Sequence, residues 1–205
     1  MENKLISPIA QIIDDIKQGK IVIIIDDESR ENEGDFVLAA QYADPSSVNF
    51  MAIHGKGLIC VALAKSICQE LNLPLMVDRN TSLHSTNFTV SVDLIGHGCT
   101  TGISAYDRSK TIQALVNDST KPKDLARPGH IFPLIAAEGG LKARKGHTEA
   151  SIELMKLAGL KQGAVICEIM NEDGSMARLS DLEHIAKKHH LKIISVQNIL
   201  EYIND

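Results

Sequence analysis

The sequence has little of what marks several protein classes. It contains no tryptophan, and only 3 tyrosines and 4 phenylalanines occur among its 205 residues. Its 4 cysteines form no Cys-x-x-Cys pair, so neither a disulfide framework nor a structural zinc site is indicated. No apolar run is long enough to cross a membrane, and the N-terminus lacks the pattern of a secretion signal. We therefore expect a cytoplasmic protein with reduced thiols and no membrane partner.

An excess of positive charge is also missing. The formal net charge is -5, and the lysines and arginines are scattered along the chain. Because binding to nucleic acid relies on clustered cations, we expect no nucleic-acid partner, although a local phosphate site stays possible. The chain has no Pro/Ser linker, internal repeat or low-complexity stretch, which predicts a single domain over residues 1–205.

Short runs rich in β-branched residues predict a sheet. About seven strands are predicted, at 20–26, 35–41, 58–63, 87–94, 130–137, 163–170 and 192–195. Pro133 in the fifth of these indicates a sheet edge or a bulge. Several strand pairs have no helix between them, so the sheet should be mixed. We expect an α+β fold with three layers, α/β/α, in which helices cover both faces of a twisted mixed sheet.

Capping residues predict where the helices begin. The predicted caps are Ser7, Asp44, Asp107 and Thr148, with a capping box formed by Ser180 and Glu183.

The segment DDESRENEGD places six carboxylates in residues 26–35, directly after a predicted buried strand. One interpretation is a solvated turn, since most charge runs are wet surface. The alternative is a metal site, because crowded carboxylates at the end of a buried strand need a compensating cation. Magnesium prefers such oxygen ligands, and Arg30 within the run could meet an anionic substrate.

A second segment, ARKGHTEASIEL, precedes a predicted helix. It presents Arg144, Lys145, Gly146, His147 and Thr148 at the positive end of that helix, where backbone N–H groups bind anions. The bland alternative is that Thr148 is only a cap and Arg144 only a surface cation.

Four further residues are candidates with equally plain alternatives. His130 follows a Pro-Gly turn in RPGHIFPL, and Glu168 lies inside the apolar strand AVICEIM. A partly desolvated glutamate there would suit proton transfer, but strand alternation could simply turn it to solvent. Cys60 ends GKGLIC and is most simply a small buried residue. Thr101 lies in a connection rich in glycine and hydroxyl groups.

Five stretches together resemble the 3,4-dihydroxy-2-butanone-4-phosphate synthase family of riboflavin biosynthesis. They are DDESRENEGD, FTVSVD followed by TTGISAYDR, RPGHIFPL, GGLKARKGHTEA and CEIMNEDGSMAR, and they lie in the family's order between about residue 20 and residue 178. The resemblance implies a lyase that converts D-ribulose 5-phosphate into L-3,4-dihydroxybutan-2-one 4-phosphate and formate. It also implies two Mg²⁺ or Mn²⁺ ions per site and no organic cofactor.

The resemblance further implies roles for individual residues. Glu31 would bind the metal pair and His147 would complete the coordination. Our hypothesis is that Asp35, His130 and Glu168 share the proton transfers. The residues implied to contact or adjoin the substrate are Arg30, Glu31, Asp35, Arg144, Lys145, Gly146, His147, Thr148, Glu168, Asp26, Glu33, Cys60 and Thr101.

The sequence departs from the family pattern at Lys145 and in the absence of a second domain. Lys145 stands where many relatives are expected to have a smaller residue, which affects the geometry expected at the phosphate. No second domain resembling GTP cyclohydrolase II follows, so a single activity is expected. The resemblance implies a homodimer with sites at the interface, to which His130 reaches from the partner.

Two other functions share some of these features. A magnesium-dependent sugar-phosphate isomerase or phosphatase would use the same acidic loop and anion site without losing a carbon. A nucleic-acid-binding module of related fold is a third interpretation, but the net charge of -5 argues against it.

Overall fold

The computed structural model describes residues 6–204 of the chain, which form one layered domain around a seven-stranded sheet. The strands are β1 (Val22–Ile25), β2 (Gly34–Ala39), β3 (Cys60–Leu63), β4 (Val92–Leu94), β5 (Leu125–Ile135), β6 (Gly163–Glu168) and β7 (Ile193–Ser195). The helices are α1 (Ile9–Lys17), α2 (Pro45–His54), α3 (Lys65–Glu70), α4 (Ala105–Leu115), α5 (Gly140–Ala143), α6 (His147–Leu157), α7 (Leu179–His189) and α8 (Val196–Tyr202). Two short 3-10 helices span Ala40–Tyr42 and Pro122–Asp124.

The strand order is β4-β5-β3-β6-β2-β1-β7, with parallel and antiparallel neighbours in one sheet. The prediction of a mixed, single sheet with helices on both faces is confirmed. Strands β2, β3 and β6 occupy its centre, so their side chains are covered on both faces. Within residues 6–204, no helix is long and apolar enough to span a membrane.

Alternation along β2 shows how the two faces are filled. Phe36 and Leu38 pack into one core, while Val37 and Ala39 pack into the other. The first core is completed by residues of α2, α4 and α7, among them Val48, Met51, Ile112, Leu115 and Leu182. The second core is completed by residues of α1, α6 and α8, among them Ile12, Ile16, Leu154 and Ile199. Burying each large aliphatic side chain contributes about 1.5–3 kcal/mol, so both faces hold their helices firmly.

Several predicted helix starts are wrong by a few residues. The N-cap of helix α1 is Pro8 and not Ser7, and the N–H of Ser7 donates to the Ile193 carbonyl at 2.8 Å. Helix α4 is capped by Ser104, whose hydroxyl accepts the N–H of Asp107 at 3.0 Å. The carboxylate of Asp107 instead holds the preceding loop.

The same correction applies to α6 and α7. The N-cap of α6 is Gly146 and not Thr148, which lies inside the first turn. Helix α7 begins after Arg178, whose N–H is bonded to Asp181 at 2.9 Å, so Ser180 and Glu183 do not form the cap. The cap of α2 is confirmed, since Asp44 accepts the N–H of Ser47 at 2.7 Å.

The predicted strand at 87–94 is largely replaced by irregular backbone. Only Val92–Leu94 forms a ladder with β5, and the preceding residues make isolated bridges such as Phe88 with Leu134. Pro133 is not at an edge, because β5 lies between β4 and β3. On the β4 side, its carbonyl accepts the N–H of Thr89 at 2.9 Å. The irregularity in register falls at Val92 and Asp93 instead.

Candidate active site

A cavity of about 150 Å³ lies at one end of the central strands, beneath the start of α6. Strands β2 and β6 place Asp35 directly opposite Glu168, so both carboxylates point to the same face of the sheet. Nine predicted site residues line this cavity: Arg30, Glu31, Glu33, Asp35, Cys60, Arg144, His147, Thr148 and Glu168. The structure therefore brings together two sequence motifs and two strand residues that are far apart in the chain.

The acidic segment divides into an inner and an outer side. Asp27 and Glu28 are exposed, so for them the interpretation as solvated surface holds. Asp26 is buried and accepts hydrogen bonds from Arg30 Nη1 at 2.8 Å and from the backbone N–H of Glu33 at 2.9 Å. Asp26 thus holds the loop in shape, which is a structural role in addition to its predicted place near the substrate.

Glu31 meets His147 inside the cavity. Glu31 Oε2 lies 3.5 Å from His147 Nδ1 and 2.8 Å from Arg30 Nη1. The hydrogen bond from His147, aided by the charge of Arg30, lowers the pKa of Glu31 to about 2. Glu31 is therefore ionised at any physiological pH and available as a hard oxygen ligand.

The geometry around Glu31 fits a divalent cation. Asp26, Glu31 and His147 offer ligand atoms that all lie within 4.8 Å of one another. Two ligands at about 2.1 Å from one Mg²⁺ are at most about 4.2 Å apart, so the separation of 3.5 Å between Glu31 and His147 can be bridged. In addition, His147 Nε2 and Asp35 Oδ1 are buried without a hydrogen-bond partner. Buried polar atoms of this kind need a partner, which a substrate bound in the cavity would supply.

Burial and charge set the protonation of Asp35 and His147. Burial raises the pKa of Asp35 to about 7, with Glu168 and Glu31 adding to the effect and His147 opposing it. Burial lowers the pKa of His147, but the charges of Asp35 and the hydrogen bond to Glu31 outweigh it and raise the value to about 9. Asp35 can therefore gain or lose a proton near neutral pH, as proton transfer requires.

Glu168 is hydrogen-bonded to the loop that precedes β3. Its Oε2 accepts the backbone N–H of Leu58 at 2.9 Å. A Cβ at Gly57 would lie 2.5 Å from the Glu168 carbonyl and 2.6 Å from Oε2, so only glycine fits there. Cys60 lines the same wall, and burial together with Glu168 and Asp35 keeps the pKa of its thiol well above the ordinary value. Cys60 is thus a neutral thiol and a poor nucleophile.

Arg144 braces one side of the cavity. Its Nη1 donates to Glu149 at 2.6 Å, and its Nη2 donates to the His84 carbonyl at 3.1 Å and to Thr86 Oγ1 at 2.9 Å. Most of its donors are therefore engaged with protein groups, and its contact with substrate stays a prediction. A Cβ at Gly146 would lie 2.4 Å from Arg144 Nη1, so any side chain there would displace the Arg144 guanidinium.

Other predicted residues lie at the rim or elsewhere. Lys145 is exposed. His130 and Thr101 do not line the cavity: His130 lies four residues before the cavity residue Leu134 in β5, which is about 13 Å along the strand. His130 is paired there with Asp93, at 2.6 Å between Nδ1 and Oδ2.

Sequence reasoning missed six residues around the site, two of which are the apolar cavity residues Leu134 and Ile166. Thr86 and Phe88 line the cavity, and His84 Nε2 lies 4.0 Å from Glu31 Oε1. Arg178 Nη1 donates to the Glu31 carbonyl at 2.7 Å and also to the Asn32 carbonyl, which fixes the acidic loop. The segment containing Thr86 has no motif that marks it, whereas Arg178 ends the quoted CEIMNEDGSMAR stretch.

The raised pKa of His147 predicts a specific dependence of stability on pH. Its folded value of about 9 exceeds the ordinary 6.5, so the proton stabilises the native state below pH 6.5, and this contribution is lost as pH rises to 9. Without metal, we expect the free energy of unfolding to fall further between pH 6.5 and pH 9 in the wild type than in His147→Gln. The difference should be on the order of 1 kcal/mol for each unit by which the pKa is raised. Urea unfolding in chelator at both pH values measures this difference. His97→Gln, at an exposed histidine, is the control; an equal fall in wild type and His147→Gln would contradict the assignment.

Comparison with known proteins gives consistent results. The family model for 3,4-dihydroxy-2-butanone 4-phosphate synthase matches residues 10–202. Riboflavin biosynthesis protein RibBA of Cytophaga hutchinsonii is 56% identical over 98% of this chain and 50% of that protein. The protein of the same name from Bacillus subtilis is 53% identical over 95% of this chain and 48% of its own length. The chain thus spans about half the length of these curated relatives.

Solved structures agree with this result. A 3,4-dihydroxy-2-butanone 4-phosphate synthase described in complex with two magnesium ions superposes with a TM-score of 0.92 at 38% identity, covering 96% of both chains. The Candida albicans enzyme gives a TM-score of 0.90 at 42% identity, covering 98% of this chain and 99% of that one. From the family match over residues 10–202 and these identities, we conclude that the chain belongs to the 3,4-dihydroxy-2-butanone 4-phosphate synthase family.

Proposed function

We propose that this chain is a lyase of riboflavin biosynthesis which converts D-ribulose 5-phosphate into L-3,4-dihydroxybutan-2-one 4-phosphate and formate. The observation that carries the proposal is the approach of Glu31 to His147 at 3.5 Å, beside the opposed carboxylates Asp35 and Glu168. All atoms of the pentulose phosphate are divided between the two products, so the reaction needs no external oxidant or reductant. Whether the chain has a single activity stays a prediction.

The residues of the acidic loop would hold Mg²⁺ or Mn²⁺. Glu31 and His147 are the proposed ligands, and Asp26 offers a carboxylate oxygen within 4.8 Å of their ligand atoms. When bound, the ion would stabilise negative charge that develops on the substrate's oxygens during proton removal. Two ions per site are proposed, in keeping with the relative described with two magnesium ions.

Three groups are proposed to move protons. Asp35 is supported by its burial and by a pKa raised to about 7 through that burial, which lets it both accept and donate near neutral pH. Glu168 faces the same space from the adjacent strand. His130 is the third and lies outside the cavity of its own chain.

The phosphate end of the substrate is assigned to the start of α6. Helix α6 has 11 residues, and its first N–H groups and dipole favour an anion at residues 146–148. Thr148 lines the cavity at this end, next to Arg144. The exposed Lys145 would add positive charge at the rim.

We propose a homodimer with shared sites. The position of His130, about 13 Å along β5 from the cavity residue Leu134, supports this, because a second chain could bring its own His130 to the cavity. Two large hydrophobic side chains are exposed near His130. Ile95 is two residues after Asp93 in the chain, and Ile103 directly follows Gly102, whose backbone packs on Asp93 and His130. Exposed apolar groups in such a cluster are typical of an interface.

Mixed dimers test the sharing. Glu31→Ala and His130→Ala should each be inactive alone, since each removes a different part of every site. After mixing and exchange of subunits, half of the molecules should be heterodimers with one intact site, so about a quarter of the wild-type formate production should return. A verified heterodimer without activity would contradict the shared site.

The function itself is tested by incubating the protein with ribulose 5-phosphate and Mg²⁺, with and without chelator. We expect formate together with the four-carbon phosphate, and no product when chelator removes the ion. Inorganic phosphate or an aldopentose phosphate without formate would instead indicate the phosphatase or isomerase activity considered above.

A further inference from the structure

Both carboxylate oxygens of Asp93 contact His130. Oδ1 accepts the backbone N–H of His130 at 2.8 Å, and Oδ2 lies 2.6 Å from the ring Nδ1. The side chain of Asp93 is 15% exposed and that of His130 is 44% exposed. The pair therefore has a sheltered end, where the carboxylate lies, and an open end, where the other ring nitrogen is free to meet a ligand.

The sheet is irregular at this position, which makes the contact possible. Strands β4 and β5 pair Val92 with Ile131 but Asp93 with Ala126, so residues 127–130 of β5 bulge out of the ladder. Ser91 Oγ accepts the N–H of Gly129 at 3.1 Å within this bulge. A bulge can change the direction of a side chain. Here it directs both the backbone N–H and the ring of His130 towards the Asp93 carboxylate.

The loop before α4 closes over the pair. A Cβ at Gly102 would lie 2.1 Å from Asp93 Oδ2 and 2.6 Å from His130 Nδ1, so the backbone of Gly102 packs directly on the contact. Asp107 holds this loop by accepting the N–H groups of Thr100 at 3.1 Å and Gly102 at 2.9 Å. The pair is thus built into the fold and is not a chance surface contact.

We propose that Asp93 is a positioning residue that fixes the tautomer of His130. An ionised carboxylate can only accept hydrogen bonds, so it selects the ring with its proton on Nδ1. Nε2 then carries the lone pair at the open end and can take a proton from the substrate. This inference rests on the proposed function for the identity of the substrate, but the tautomer itself does not depend on it.

Replacing Asp93 by asparagine tests whether Asp93 fixes the tautomer of His130. The amide oxygen is needed by the backbone N–H of His130, which leaves the amide NH₂ facing Nδ1. Nδ1 must then accept a hydrogen bond, so the proton moves to Nε2 and the base is blocked. The change preserves the size and shape of the side chain, and therefore separates the tautomer from packing.

The first experiment is kinetic. In Asp93→Asn, we expect kcat for formate release to fall on the order of 100-fold with a smaller change in KM, the size usual for loss of a general base. Asp124→Asn, at a half-buried carboxylate that accepts the Lys121 N–H and lies outside the pair, should leave kcat unchanged. In a His130→Gln background, Asp93→Asn should cost little more, because residues that act as one unit are not additive. Full additivity of the two losses would contradict the proposal.

The second experiment is spectroscopic and needs no activity. The protein labelled with ¹⁵N-histidine contains 8 histidines, and comparison with His130→Gln identifies the His130 signals. We expect the Nδ1–H tautomer in wild type and the Nε2–H tautomer in Asp93→Asn. An Nε2–H ring in wild type would overturn the inference even if formate is made. Absence of formate with the expected tautomer would instead overturn the proposed function and leave Asp93 as the partner that orients His130. Should Asp93→Asn fail to fold, the wild-type tautomer alone still decides the matter.

Discussion

Glu31→Gln is expected to abolish both metal binding and formate production. The substitution keeps the length of the side chain but removes the charge that pairs with His147 at 3.5 Å and with Arg30 at 2.8 Å. A neutral amide is a weak ligand for Mg²⁺, and the pKa of about 2 that the His147 hydrogen bond gives Glu31 shows that the native group is fully ionised. We expect a loss of at least 1000-fold in kcat/KM, which corresponds to about 4 kcal/mol of transition-state stabilisation. Calorimetric titration with Mg²⁺ and a formate assay measure the two effects.

A matched control lies in the same loop. Glu28 is exposed and does not line the cavity, so Glu28→Gln changes the net charge equally but removes no proposed ligand. It should bind Mg²⁺ and release formate like the wild type. If Glu31→Gln retained wild-type affinity for Mg²⁺, the assignment of the acidic loop as the metal site would be wrong. If both variants lost affinity to the same extent, the loop would act only through its total charge.

Asp35→Asn should separate proton transfer from metal binding. Asp35 is buried at the start of β2, and that burial raises its pKa to about 7 with help from Glu168. An asparagine fills the same space but cannot exchange a proton. Because a positioned general acid or base contributes about 100- to 10,000-fold, we expect kcat to fall within that range while Mg²⁺ still binds. Single-turnover assays with calorimetry on the same samples measure this.

Its control is Asp118→Asn, at an exposed carboxylate whose observed partner is Lys161. That variant should keep the wild-type kcat. Wild-type kcat in Asp35→Asn would remove Asp35 from the set of proton carriers. A loss of Mg²⁺ affinity as large as that in Glu31→Gln would make Asp35 a metal ligand instead.

The layers and the sheet could be predicted because their signals are local. Apolar runs such as 20–26 and 163–170 mark buried strands by their length and composition, and the structure contains seven strands as expected. Helix starts were less predictable, because a capping residue competes with its neighbours. Ser104 caps α4 while Asp107, three residues on, bonds to the loop instead, and both choices satisfy the same local rule.

The cavity was partly predictable for a different reason. Glu31 and His147 are over a hundred residues apart, and periodicity says nothing about their contact; the family resemblance placed them together. Thr86, Arg178 and Asp93 were missed because each acts through a partner from another element. Arg144 was assigned to the substrate, yet most of its donors bind Glu149, His84 and Thr86, a network that depends on the folded chain.

The pairing of Asp35 with Glu168 across β2 and β6 has a consequence for how this site responds to motion of the chain. The distance between neighbouring strands is set by the peptide ladder, at about 4.8 Å, and these two strands lie in the middle of the sheet. Loops around them can shift, but the backbone beneath the two acids stays paired while the sheet is intact, because the ladder continues past them through the bond from the Ile169 N–H to the Gly34 carbonyl at 3.0 Å. We therefore expect heat or denaturant to disrupt this carboxylate pair together with the sheet, in the same unfolding transition.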